Sequence, residues 1–170
     1  KWRDVTDGKI DPRMPYRQTL PSGRRMVIFF YDGPIARAVA FEGLLNRGDM
    51  LAKRLKDAFS EKVQSSQIVH IATDGESYGH HHRHGDMALA YALHYIESNN
   101  LARLTNYGEY VEKQPPTQEV EIIENSSWSC AHGVERWRND CGCNSGGQPG
   151  WGQGWRRPLR ESLDWLRDTL

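Results

Sequence analysis

Two short apolar runs constrain this chain most: Met26-Val27-Ile28-Phe29-Phe30-Tyr31, closed by Asp32-Gly33-Pro34, and Ile68-Val69-His70-Ile71-Ala72, closed by Thr73-Asp74-Gly75. A run this short, without polar alternation, fits a strand buried on both faces, as in a parallel sheet. Each run is followed by a helical pattern. Pro34 suits the first turn of a helix. Ile35, Val39, Leu44 and Leu45, then Leu51, Leu55 and Phe59, recur at helical spacing and predict two helices divided near Gly48. After the second run, Met87, Ala90, Tyr91 and His94 form a helical stripe that Leu89, Leu93 and Ile96 widen. Strand, helix, strand, helix with buried strands implies parallel βαβ units closed by right-handed crossovers.

The pattern continues with a short third strand at 101–104, a helix capped by Asn106 and running through Glu112, and a fourth strand at 119–123. A final helix over 157–170 places Leu159, Leu163, Leu166 and Leu170 on one face. Residues 1–24, with Pro12, Pro15 and Pro21, read as a connecting arm, and 124–157 as an irregular loop rich in Cys, Trp and Gly. About four strands fall short of a closed barrel, which takes roughly 250 residues. The expected fold is therefore α/β, an open parallel sheet or part of a barrel, in a single unit over 1–170. The chain opens on Lys1 with no initiator Met, which reads as a piece of something longer.

Composition narrows the partners. Lys+Arg and Asp+Glu balance at 22 each, which argues against a nucleic-acid binder that works by neutralising phosphates. No run approaches the roughly 18 apolar residues of a membrane span. Three cysteines cannot close two disulfides, so a small secreted disulfide scaffold is disfavoured and a cytoplasmic location is expected.

The chemistry concentrates in residues 73–84, Thr-Asp-Gly-Glu-Ser-Tyr-Gly-His-His-His-Arg-His. Two carboxylates and four imidazoles directly follow a buried strand, where parallel sheets gather their functional loops. A carboxyl partly shielded there can act as a general acid near neutrality. In one reading Asp74 protonates a leaving sugar oxygen while Tyr78 and the imidazoles bind sugar hydroxyls. In another, Asp74, His80 and His84 hold a catalytic zinc with one open position, as in a deacetylase. A third leaves a solvated polar loop on a sugar-binding or structural module.

At this segment the sequence resembles glycoside hydrolase family 57, whose fourth region follows Asp-x-Glu-x-Phe/Tyr-Gly-His. Phe29-Phe30-Tyr31-Asp32-Gly33-Pro34, residues 73–88 and Trp128-Ser129-Cys130-Ala131-His132-Gly133 are similar to a branch of that family that carries a further domain of unknown function. The resemblance spans nearly the whole chain. It implies an incomplete (β/α)7 barrel acting on α-glucans or oligosaccharides by a retaining double displacement, with no cofactor required. Asp74 would be the general acid/base, with Glu76, Tyr78, His80, His81, Ser127, Trp128 and His132 on the substrate. The retaining route needs a second carboxylate about 5–5.5 Å away. In the family this is a Glu on an earlier strand, and nothing upstream of Asp74 matches its motif: Glu42 and Glu61 lie in helix-like sequence. The chain thus reads as the acid/base half of the barrel, inactive alone, with unpaired sheet edges that favour self-association.

Cys130-x-His132 and Cys141-x-Cys143 offer three sulfurs and one nitrogen, enough to close a structural zinc site, although one-residue gaps are tight. Free thiols, a disulfide, or a sugar-facing His132 are the other readings. Trp128, Trp137, Trp151 and Trp155 offer flat faces for sugar stacking. Asp32 is expected to cap the helix after it rather than bind substrate.

Overall fold

The computed structural model describes residues 2–143 and 147–170. They form a mixed α/β structure with six α-helices and one three-stranded sheet. The chain divides into two compact units, Lys1–Glu121 and Ile122–Leu170. No helix among the described residues is long and apolar enough to cross a membrane.

In the first unit, β1 (Tyr16–Thr19) and β2 (Arg25–Ile28) form an antiparallel hairpin with Tyr16 opposite Ile28. β3 (Gln118–Glu119) lies parallel to β1 on its other side, where Arg17 pairs with Glu119 at 3.1 Å. The segment expected to be a connecting arm therefore supplies the central strand, and Tyr16 is buried. The turn at Pro21-Ser22-Gly23 sends the chain back upon itself, with Leu20 N donating to the Arg24 carbonyl at 2.8 Å. The apolar run at 26–31 is corrected on the same ground. Its first half is an antiparallel strand with Met26 and Val27 exposed, not a parallel strand covered on both faces.

Residues 68–72 run extended without a regular ladder. Ile68 N donates to the Arg13 carbonyl at 2.9 Å and Asp32 N to the His70 carbonyl at 3.0 Å, so the segment lies between the two chain stretches that precede β1 and follow β2. Residues 101–104 form no strand, and the fourth expected strand is present only as the two residues of β3.

The helices follow the periodicity. Helix α1 (Gly33–Phe41) starts at Asp32, whose Oδ1 accepts from Ile35 N at 2.9 Å, as the capping reading required. Helix α2 (Gly48–Lys56) and α3 (Gly85–Ser98) follow, then α4 (Tyr107–Lys113), capped by Asn106 through Glu109 N at 3.0 Å. Val39, Leu45, Leu51, Ala52, Ala88, Ala92 and Ile96 make one core between α1, α2 and α3. Leu51 is fully buried there. Truncating such a leucine removes its transfer energy and leaves a cavity, so Leu51→Ala is expected to cost about 2–5 kcal/mol in urea unfolding. A loss under about 1 kcal/mol would contradict this packing.

In the second unit, α5 (Glu135–Arg138) is a single turn inside the expected irregular loop, and α6 (Arg156–Thr169) is the expected final helix. Its leucine face is exposed along its whole length.

Candidate functional site

The loop at 73–84 is built around a short 3-10 turn. Gly75–Tyr78 forms one 3-10 turn, opened by Ser77 N donating to the Asp74 carbonyl at 3.1 Å. Thr73 and Tyr78 join their hydroxyls at 2.8 Å across it, Ser77 is buried beneath it, and His82 Nε2 donates to the Ala40 carbonyl at 3.0 Å, anchoring the loop to α1. Tyr78 therefore holds the loop and touches the core. Asp74, Glu76, His80 and His81 remain exposed, the last two with their rings edge-to-face at 4.9 Å.

Asp74 and Asp32 both follow extended segments, yet they differ in commitment. Asp32 is spent on its helix cap. The Asp74 carboxylate makes no cap bond and no hydrogen bond or ion pair with any described residue. It is exposed rather than shielded, so the water exclusion a general acid needs is not supplied by its neighbours in this unit.

A largely apolar cavity of about 740 Å³ opens in the first unit between residues 68–71, α3 and the start of α4. Tyr78 lines it; Asp74 does not. Its polar wall is one that helix periodicity alone did not reveal, because Tyr107 and Tyr110 read as ordinary helix positions. His70 Nε2 donates to the Pro12 carbonyl at 3.2 Å, leaving Nδ1 to accept from the Tyr107 hydroxyl at 3.0 Å. Burial pushes the His70 pKa below the usual histidine range against the pull of that carbonyl. His70 is thus a cavity-wall histidine with both ring nitrogens hydrogen-bonded.

In the second unit, Ser127 Oγ accepts from Ser129 N at 3.1 Å, and the Trp128 indole is 98% exposed. Trp137, Trp151 and Trp155 are exposed as well, with the Arg156 guanidinium 5.7 Å over the Trp155 ring. His132 is exposed, and its Nδ1 lies 3.3 Å from Cys143 Sγ and 3.6 Å from Cys130 Sγ. Among the described residues, the convergent set of three or more metal-ligating side chains is Cys130, His132, Cys141 and Cys143. Asp74, His80 and His84 do not form such a set in this structure.

The model of glycosyl hydrolase family 57 matches residues 3–123, which takes in the whole Asp74 loop and stops short of Ser127 and Trp128. No curated protein and no solved structure matched the chain. With most of its length under that match, including the acidic, histidine-rich turn after residues 68–72, the chain belongs to glycosyl hydrolase family 57.

Proposed function

We propose that this chain supplies the general acid/base, Asp74, of a retaining α-glucan hydrolase or transferase, and that the nucleophilic carboxylate comes from outside residues 1–170. The carrying observation is the uncommitted Asp74 carboxylate on a braced turn, inside the family match, while Asp32 is consumed by a helix cap. The extended segment at 68–72, which leads through Asp74 into the turn before α3, is the feature that supports a (β/α)7-type barrel strand with Asp74 at its end.

In the first step the Asp74 carboxyl gives its proton to the departing glycosidic oxygen while the second carboxylate attacks the anomeric carbon. In the second step the Asp74 carboxylate takes a proton from water or an acceptor hydroxyl, which attacks the glycosyl intermediate. Shielding of Asp74 would come from bound sugar and from the nucleophile-bearing segment, whose negative charge favours the protonated acid. Glu76, His80 and His81, exposed beside it, would bond sugar hydroxyls. In the second unit taken by itself, the exposed Trp128 indole would offer a face for a sugar ring and Ser127 a hydroxyl for it.

The division of labour is tested by incubating the purified chain with an α-glucan and following reducing ends. No turnover above the uncatalysed rate is expected; multiple turnovers by the chain alone would place the nucleophile within it.

A further inference from the structure

The second unit faces an energetic problem. Within Ile122–Leu170, Cys130 is the one buried apolar side chain among the described residues. The leucines of α6 and Trp128, Trp137, Trp151, Trp155 and Trp165 are exposed. Units of this size without a core usually need disulfides, a metal or a partner to hold them. All three cysteines are free, and Cys130 Sγ lies 3.5 Å from Cys143 Sγ and 3.9 Å from Cys141 Sγ, far from a bond of about 2.05 Å.

Those separations match something else. Zn–S bonds of about 2.3 Å and Zn–N bonds of about 2.0–2.1 Å at tetrahedral angles give edges of about 3.8 Å between sulfurs and about 3.6 Å between sulfur and nitrogen. Cys130 Sγ lies 3.5 Å from Cys143 Sγ, 3.9 Å from Cys141 Sγ and 3.6 Å from His132 Nδ1, and Cys143 Sγ lies 3.3 Å from His132 Nδ1. The four ligand atoms all fall within 4.8 Å of one another. The backbone resolves the tight one-residue gaps. Gly142, at φ +76°, turns Cys141 and Cys143 toward one point, and Gly133 N closes a turn on the Cys130 carbonyl at 2.9 Å that does the same for Cys130 and His132.

We propose that Cys130, His132, Cys141 and Cys143 bind one structural zinc ion, and that this ion, in place of a hydrophobic core, holds Ile122–Leu170 folded. On binding, three thiols release their protons to solvent and His132 coordinates as neutral imidazole through Nδ1. All four positions are filled by protein, the closed arrangement of a structural site. Three thiolates and a dication leave one net negative charge, which the Arg156 guanidinium, 3.9 Å from Cys141 Sγ and held by Gln153 Oε1 at 2.8 Å, offsets. His132 N, 3.4 Å from Cys130 Sγ, adds a backbone donor. The site lies on the two sides of α5 and at the start of α6, so one ion ties together the parts of the unit. It stands independently of the Asp74 assignment.

The test is elemental analysis of the untagged chain, joined to hydrogen exchange before and after chelation. About one zinc per chain is expected. Chelation should collapse exchange protection across 122–170 while leaving 2–121 protected, and zinc should restore it. Cobalt substitution should give thiolate charge-transfer absorption with tetrahedral d–d bands. Cys141→Ser should abolish stoichiometric zinc, whereas Arg156→Gln, which keeps every ligand, should weaken zinc binding about 10-fold. A metal-free chain with 122–170 fully protected would overturn the proposal. So would a native disulfide, or iron in place of zinc.

Discussion

Asp74→Asn, made in the assembly that carries both carboxylates, is expected to lower α-glucan turnover about 10²–10⁴-fold, the contribution of a positioned general acid/base. Asparagine keeps the shape but neither donates a proton to the leaving oxygen nor accepts one from water. The expected loss falls on kcat, with KM close to unchanged, because protonation matters in the transition state rather than in the bound ground state. The structure sharpens the expectation. The Asp74 side chain holds nothing in place, so the variant should unfold at the wild-type temperature. A parallel fall in stability would mean that the carboxylate has a structural duty.

Gly133→Ala carries the largest structural effect. A Cβ at Gly133 would sit 1.9 Å from the Asn125 carbonyl oxygen, a distance no side-chain rotation relieves because both partners are backbone. The residue also has φ +61°, a region that costs non-glycine residues about 1–2 kcal/mol. Its N–H closes the turn on Cys130, and Val134 N donates to that same Asn125 carbonyl at 3.0 Å. Overpacking and backbone strain together amount to about 2–6 kcal/mol. In a unit whose described residues bury a single apolar side chain, that is enough to unfold it. Limited proteolysis should cut the variant throughout 122–170 and leave a resistant product ending near residue 121. Retention of the wild-type digestion pattern would contradict this packing of the turn.

What could be read in the sequence tracks where local rules decide. Helices α1 to α4 and α6 were legible because apolar spacing fixes their faces and Asp32 and Asn106 mark two of their starts. The sheet was not. Tyr16-Arg17-Gln18-Thr19 holds too few apolar residues to announce a strand, and only the turn at 20–24 pairs it with β2. Residues 26–31 looked buried on both faces because apolar composition does not distinguish a parallel neighbour from a hairpin partner. At the site, the Asp74 loop stood out by its density of ionisable groups, but its exposure did not. That depends on what covers the loop, which residues 73–84 do not encode. His132 is legible as two things, sugar ligand or metal ligand, and its convergence with the three cysteines rests in part on the left-handed turn at Gly142, a conformation that glycine permits but does not dictate.

Whether Asp74 moves the proton is decided by comparing wild type and Asp74→Asn on two substrates that differ in leaving group, with and without azide. An aryl α-glucoside whose phenolate leaves without protonation should still glycosylate the variant, while the natural α-glucan should not. Azide should then restore turnover by releasing a glycosyl azide of retained anomeric configuration. Equal losses on both substrates with no azide rescue, or α-glucan turnover within about threefold of wild type, would contradict proton transfer by Asp74.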